Sequence, residues 1–206
     1  MTTLVIENSS TPGSLTLATD GVVVHECIFH GAGELATEVA RAIELFTRLD
    51  RVIVGIGPGS YTGLRVGIAT AFGLSLATDC QKFGCPSILG FAENDYTVIG
   101  DARRGSFFFA RIAEGVIAEG PLLLPKTDLS NLVGNQPGIS LFAVGPMPEL
   151  PEVEVKVPSA RFLLGKEASY APLGEPIYLK EPHITQRTPT NASERQRTTT
   201  NVREQQ

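Results

Sequence analysis

The sequence predicts an α/β layered domain, and three observations carry that prediction. The chain opens on three extended stretches joined by tight turns. An amphipathic helix follows them. A run of β-branched residues then ends in a glycine turn that starts a second helix. Strands that give way to helices in this alternation need a sheet covered by helices.

Thr3–Glu7 and Ser14–Thr19 read as strands, and Asp20-Gly21 is a two-residue hairpin signal leading into Val22–Phe29. The chain therefore begins with three antiparallel strands. His30-Gly-Ala-Gly33 is a loop, and Glu34–Leu49 is expected to be helical, with Leu35, Val39, Ile43 and Phe46 on one face. Val52, Ile53, Val54 and Ile56 suit a strand covered on both sides. Gly57-Pro58-Gly59 breaks that strand, and Ser60 or Thr62 can cap a helix reaching about Thr78. A short strand near Phe83, a helix after Pro86 and a strand at Tyr96–Gly100 complete the first half.

The second half reads as a smaller version of the first, without close sequence repetition. Strands are expected at Ser106–Ile112, Gly115–Leu124 and Ser140–Val144, and helices at Thr127–Leu132 and Ser159–Tyr170. From His183 onward Thr, Gln, Asn, Arg and Glu dominate, and the apolar aliphatic residues are Ile184, Ala192 and Val202. Such a segment buries too little surface to offset its ordering entropy. The expected organisation is a lobe over 1–100, a smaller lobe over 101–182 and a polar, mobile tail over 183–206.

The 206 residues are 42% hydrophobic and carry a net charge of −5. Residues 1–100 hold 5 basic and 10 acidic side chains, whereas 101–206 hold 12 of each. No basic field dominates, so the chain on its own is a poor nucleic-acid binder, and its acidic half suits a basic partner. No apolar run approaches the roughly 20 residues of a membrane helix. The first residues enter a strand pattern without a basic, apolar leader. A soluble cytoplasmic protein is expected. Cys27, Cys80 and Cys85 lack metal-ligand spacing and read as idle thiols in a reducing compartment.

The glycine turn raises the question of phosphate binding, because free backbone N–H groups at a helix start favour anions. Known phosphate motifs do not match. A P-loop requires Gly-Lys-Ser/Thr, yet Leu64 and Arg65 follow Gly63; a dinucleotide fingerprint fails at Ser60. Alternatively, Gly59, Gly63, Gly67, Ala69, Ala71 and Gly73 make a helix narrow enough for close packing on a sheet or a partner helix. Glycine inside a helix costs up to about 1 kcal/mol against alanine, so several together imply that close approach outweighs it. Arg65 can reach a phosphate or a partner carboxylate, or lie over apolar surface. Neither a hydrolase nor a metalloenzyme is supported. Gly73-Leu-Ser75-Leu-Ala77 lacks the last glycine of a nucleophile elbow, and His25, His30 and His183 form no i, i+4 pair.

Gly57-Pro-Gly-Ser-Tyr-Thr-Gly-Leu-Arg-Val-Gly67 closely resembles the signature of the TsaB (YeaZ) family of bacterial tRNA threonylcarbamoyladenosine biosynthesis proteins. Leu4–Ser10, His30–Leu49, Asp101-Ala-Arg-Arg-Gly105 and Pro176-Ile-Tyr-Leu179 are similar to its first strand and loop, first helix, second-half start and closing element. The resemblance spans about residues 3–181. It implies the ribonuclease-H-like, actin-like (ASKHA) fold with two lobes. It also implies a non-catalytic subunit that pairs with a TsaD-type ligase, supports a TsaE-type ATPase and meets tRNA only indirectly. Nothing is expected to bind the chain alone; ATP or ADP with magnesium belongs to the assembled complex. The implied interface uses the first two helices, here Leu35, Val39, Ile43, Gly63, Gly67, Thr70 and Leu74, and the same surfaces can support a homodimer. Glu7, Ser9, Ser10, Gly57, Gly59, Ser60 and Arg65 stand where the superfamily handles nucleotide. Glu7 and Asn8 depart from the Asp-Thr usual in the family. Asp101 and Arg103 form the inter-lobe element, either an anion site or a structural ion pair. The competing reading is an actin-like ATPase or kinase with a degenerate site.

Overall fold

A computed structural model describes residues 1–129 and 140–180. The first sheet is built from β1 (Thr2–Glu7), β2 (Gly13–Thr19), β3 (Val22–Phe29), β4 (Arg51–Gly55), β5 (Gln81–Cys85) and a two-residue edge strand late in the chain. The second sheet contains β6 (Tyr96–Asp101), β7 (Ser106–Ala113), β8 (Val116–Pro125), β9 (Ser140–Ala143) and β10 (Glu154–Val155). With β11 (Ala171–Pro172) at its edge, the first sheet runs β11-β5-β4-β1-β2-β3, and the second runs β10-β9-β6-β7-β8.

The two sheets are wired alike. In each, the first three strands form an antiparallel meander, and the fourth adds parallel to the first on its other side. The fifth extends that parallel side. This is one ribonuclease-H-like unit used twice, the actin-like two-lobed arrangement. The duplication lies in the topology.

Local chemistry explains the elements. Asp20 and Gly21 both have positive φ (51° and 78°), as a two-residue hairpin between twisted strands demands. Ser60 caps α2 (Tyr61–Thr78), its hydroxyl accepting from the Gly63 amide at 3.2 Å. Val52, Ile53 and Val54 are fully buried, with Val52 and Val54 on one face of the sheet and Ile53 on the other. The first face packs Leu4, Ile6, Leu15 and Leu17 against Leu35, Val39 and Ala42 of α1 (Ala32–Ile43) and Ile68, Ala71 and Leu74 of α2. The opposite face packs Val5, Ile53 and Cys85 against Tyr96, Val98, Phe108 and Phe142 of the second sheet. The inter-lobe core is therefore apolar.

Three expectations about helices are corrected. α1 ends at Ile43 instead of Leu49. The chain must travel back to start β4 beside β1, where the Asp50 amide donates to the Thr2 carbonyl and the Thr2 amide to the Asp50 carboxylate. The helix expected after Pro86 is a single 3-10 turn, Ser87–Leu89. Gly90 follows it with its carbonyl accepting from the Ser159 amide, which draws the chain away from a helical path. Ser159–Tyr170 is only α3 (Ala160–Leu163) and a 3-10 turn at Glu167–Ser169. The Tyr170 hydroxyl contacts the carbonyl oxygens of Leu163 and Leu164, both at 2.7 Å, and so satisfies the helix end. Of the helix expected at Thr127–Leu132, residues 126–129 are helical. The rest of it, like the tail over 183–206, lies outside the described residues. Among the described residues no helix is long and apolar enough to cross a membrane.

Candidate functional site

The glycine loop sits at the carboxyl end of β4, beside the carboxyl end of β1, where ligands of open α/β sheets gather. Here the chain's own backbone fills much of that space. The Ser60 amide donates to the Ser9 carbonyl at 2.7 Å, and the Asn8 side-chain amide donates to the Gly63 carbonyl at 2.9 Å. A Cβ on Gly59 would lie 2.3 Å from the Ser9 carbonyl oxygen, and one on Gly63 would lie 2.1 Å from that of Asn8. The glycines at 59 and 63 let the loop after β1 lie directly on the start of α2. Gly57, at φ 99°, is pinned from another side: its amide donates to the Ser87 hydroxyl at 3.0 Å, and the Ser87 amide donates back to the Gly57 carbonyl.

Glu7 lies beneath this junction, fully buried, with one carboxyl oxygen accepting from the Ser9 amide at 2.7 Å. A Cβ on Gly55 would come within 1.8 Å of its other carboxyl oxygen, so Gly55 makes the room that Glu7 occupies. Burial raises the Glu7 pKa above the ordinary carboxylate range; hydrogen bonds from Ser9 and Ser87 oppose that shift. Sealed from solvent, the Glu7 carboxyl is not open to an incoming magnesium ion in this conformation. Ser9 is buried as well, and Ser10 is half-buried.

The raised pKa has a pH consequence. The folded protein keeps the Glu7 proton at pH values where the unfolded chain, with a glutamate pKa of about 4.3, has lost it. The stability that Glu7 contributes is thus complete below the unfolded value and is lost as pH rises towards the folded one, at up to about 1.4 kcal/mol per pH unit. Glu7→Gln removes the titration and keeps the acceptor for Ser9. Its denaturation midpoint is expected to gain on the wild type as pH rises above 4.3, and parallel profiles for the two proteins would contradict a proton held at Glu7.

Of the roles expected of Arg65, the structure shows the one over apolar surface. Its guanidinium lies 4.8 Å from the centre of the Tyr61 ring, and that ring packs at 5.1 Å on Tyr178 of the closing segment. The same segment bonds the Ile177 amide to the Ile56 carbonyl at 2.7 Å, packs the half-buried Leu179 against the inter-lobe core and carries Lys180, whose ammonium donates to the Arg103 carbonyl at 2.6 Å. It joins the glycine loop to the turn after β6. In that turn Asp101 accepts from the Arg103 amide at 2.6 Å and pairs with the Arg103 guanidinium at 3.4 Å. Both side chains are exposed, so the pair is a solvated turn feature of small energetic value.

The residues expected at a partner interface divide. Leu35, Val39, Gly67 and Leu74 are buried in the chain's own core, and Gly63 is committed to Asn8. Thr70 is half-buried, its hydroxyl donating to the Val66 carbonyl at 2.8 Å. Ile43 alone of the seven is 43% exposed. The physical reason is that α2 has no polar side, so its pattern carries no period that separates the inner from the outer face. The outer face carries Arg65, Ala69, Phe72, Gly73 and Leu76, a stripe at helical spacing in which Leu76 is 87% exposed. Ala36 and Ala40 of α1 lie exposed above Ile43 in the same way. Gly55, Ser87 and this outer stripe are what sequence reasoning missed, and Asn8 was seen only as a departure from the family pattern. Only the stripe left a signal, since Phe72 and Leu76 recur four residues apart. Two shallow depressions, of about 300 and 330 Å³, lie elsewhere on the molecule and include neither Glu7 nor the glycine loop.

Comparison with known proteins adds an independent line. Residues 32–120 match the family model described as TsaD, tRNA N6-adenosine threonylcarbamoyltransferase. An uncharacterized protein of Mycobacterium tuberculosis is 36% identical over 146 residues, 65% of this chain and 65% of that protein. The chain thus matches just under two thirds of that relative's length. The Escherichia coli tRNA threonylcarbamoyladenosine biosynthesis protein TsaB is 33% identical over 73 residues, 35% of this chain and 32% of its own. Among solved structures, YeaZ from Pseudomonas aeruginosa superposes with a TM-score of 0.59 at 20% identity, covering 79% of this chain and 88% of that one. A protein with similarity to peptidase YeaZ from the same organism gives 0.62 at 20% identity, covering 87% and 99%. The two structures show the shared fold.

Proposed function

Because the chain belongs to the TsaB (YeaZ) family, we propose that it acts in the biosynthesis of N6-threonylcarbamoyladenosine in tRNA as a non-catalytic scaffold. It pairs with a TsaD-type ligase and supports binding of a TsaE-type ATPase. The observation that carries this reading is the outer face of α2. A helix apolar on every side, with one side packed at home and Ala69, Phe72, Gly73 and Leu76 left in water, has the composition of an interface. Phe72 and Leu76 supply anchors, and Ala69 and Gly73 let a second helix approach closely. A Cβ on Gly73 would meet nothing within 4 Å. The outer stripe of α1, Ala36, Ala40 and Ile43, lies on the same side of the sheet.

The sealing of Glu7 supports a role without nucleotide chemistry of its own. ATP or ADP and magnesium belong to the assembled complex, which works in the cytoplasm and holds tRNA chiefly through the partner. Without that partner, two copies can meet through the same stripe. The experiment is reconstitution with the TsaD-type ligase of the same cell, its ATPase, threonylcarbamoyl-adenylate and unmodified tRNA. Modified adenosine should form at least about tenfold faster with the chain present. An equal rate without it would remove the scaffold reading.

A further inference from the structure

A separate group of reactive side chains lies at the far edge of the first sheet, where β3 is the outermost strand. His25 and Cys27 are two residues apart on β3 and so point to the same face, which α1 covers. Glu38 reaches down from α1. The His25 imidazole, the Cys27 sulfur and a Glu38 carboxylate oxygen offer ligand atoms that all lie within 4.8 Å of one another. His25 Nε2 stands 3.9 Å from Glu38 Oε2, beyond hydrogen-bond range, and Nε2 is buried with no hydrogen-bond partner. Three donors of the types that hold transition metals thus converge on one point with a buried ring nitrogen left unsatisfied.

We propose that His25, Cys27 and Glu38 form a binding site for a divalent transition-metal ion, Zn²⁺ by its donor set, with a fourth position open to water. Nitrogen, sulfur and carboxylate oxygen bind zinc at about 2.0–2.3 Å, which sets tetrahedral ligands about 3.5 Å apart. The three donors, now within 4.8 Å of one another, would close to that spacing around the ion. Soft thiolate with imidazole selects zinc or its neighbours over magnesium and calcium, which prefer oxygen. The second Glu38 oxygen is already held by Arg41 at 2.6 Å, the kind of outer contact that orients a carboxylate ligand. Burial and the adjacent Glu38 push the empty-site Cys27 thiol up to about 12, so binding the ion releases that proton to solvent. The ion would fasten the edge strand to α1. The site is independent of the partner reading, since it uses the inner side of α1.

The test is a Co²⁺ titration of the full chain, freed of any purification tag and of chelators. Saturation at one equivalent is expected, with a thiolate-to-cobalt charge-transfer band and a raised thermal midpoint that zinc reproduces. Cys27→Ser should abolish the band. His25→Gln and Glu38→Gln should each weaken binding at least about tenfold, the lower end of the loss that even outer contacts produce. All three positions are only half-buried, and circular dichroism checks the fold of each variant. No band in the wild type, a band retained in Cys27→Ser, or unchanged affinity in both glutamine variants would overturn the site.

Discussion

Leu76→Glu should abolish pairing with the TsaD-type ligase while leaving the fold untouched. Leu76 is 87% exposed and touches too little of its own chain to matter for folding, so the variant's stability should stay within about 0.5 kcal/mol of the wild type. In the complex, the same carboxylate would be buried on an apolar face without a partner. Central anchors of this kind are worth about 2 kcal/mol or more, so affinity should fall at least about 30-fold in a direct titration. Phe72→Glu should do the same; there the Lys82 ammonium, 5.3 Å from the ring centre, gives the new charge some compensation and the loss should be smaller. Undiminished affinity in both folded variants would place the partner elsewhere.

Gly63→Ala and Gly73→Ala are expected to change stability in opposite directions, although both replace a glycine inside the same helix. A methyl at residue 63 would sit 2.1 Å from the Asn8 carbonyl oxygen, a backbone atom that cannot swing aside. Overpacking of this kind costs about 1–3 kcal/mol and sometimes more, well above the helix-propensity gain of up to about 1 kcal/mol. At residue 73 nothing lies within 4 Å, so the propensity gain is felt in full and the variant should be about 0.5–1 kcal/mol more stable. Urea denaturation of the two variants checks both signs. Equal effects would mean that Asn8 does not lie on the start of α2.

The contrast between those two glycines marks where the sequence was legible. The hairpin at Asp20-Gly21 and the Ser60 cap rest on interactions within a few residues, and the doubly covered strand at Val52–Val54 showed itself as an unbroken β-branched run. The run of glycines through the turn and α2 announced close packing but not its target. Gly59, Gly63 and Gly67 turn out to face the loop after β1 and the sheet, while Gly73 faces outward. A helix without a polar side carries no period from which orientation can be read. α1 was easier: its polar residues fixed the face of Leu35 and Val39, although its end at Ile43 depended on the Thr2–Asp50 pairing across 48 residues. Glu7 was legible as a carboxylate at a strand end. Its burial depended on Gly55 and Ser87, which are distant in sequence and ordinary in type. The family signature implied the fold and an interface on the first two helices; because Leu74 is buried while Phe72 and Leu76 are exposed, the proposed partner surface is placed on the latter pair.

The most direct measurement of the scaffold account is hydroxyl-radical footprinting of Phe72 and Leu76, alone and with saturating TsaD-type ligase. Both side chains should be oxidised readily in the free chain and at least about fivefold more slowly in the complex, a contrast expected of anchors at the dry centre of an interface. Rates unchanged by a ligase that demonstrably binds would show that α2 does not carry the partner, and the account built on its outer face would fail.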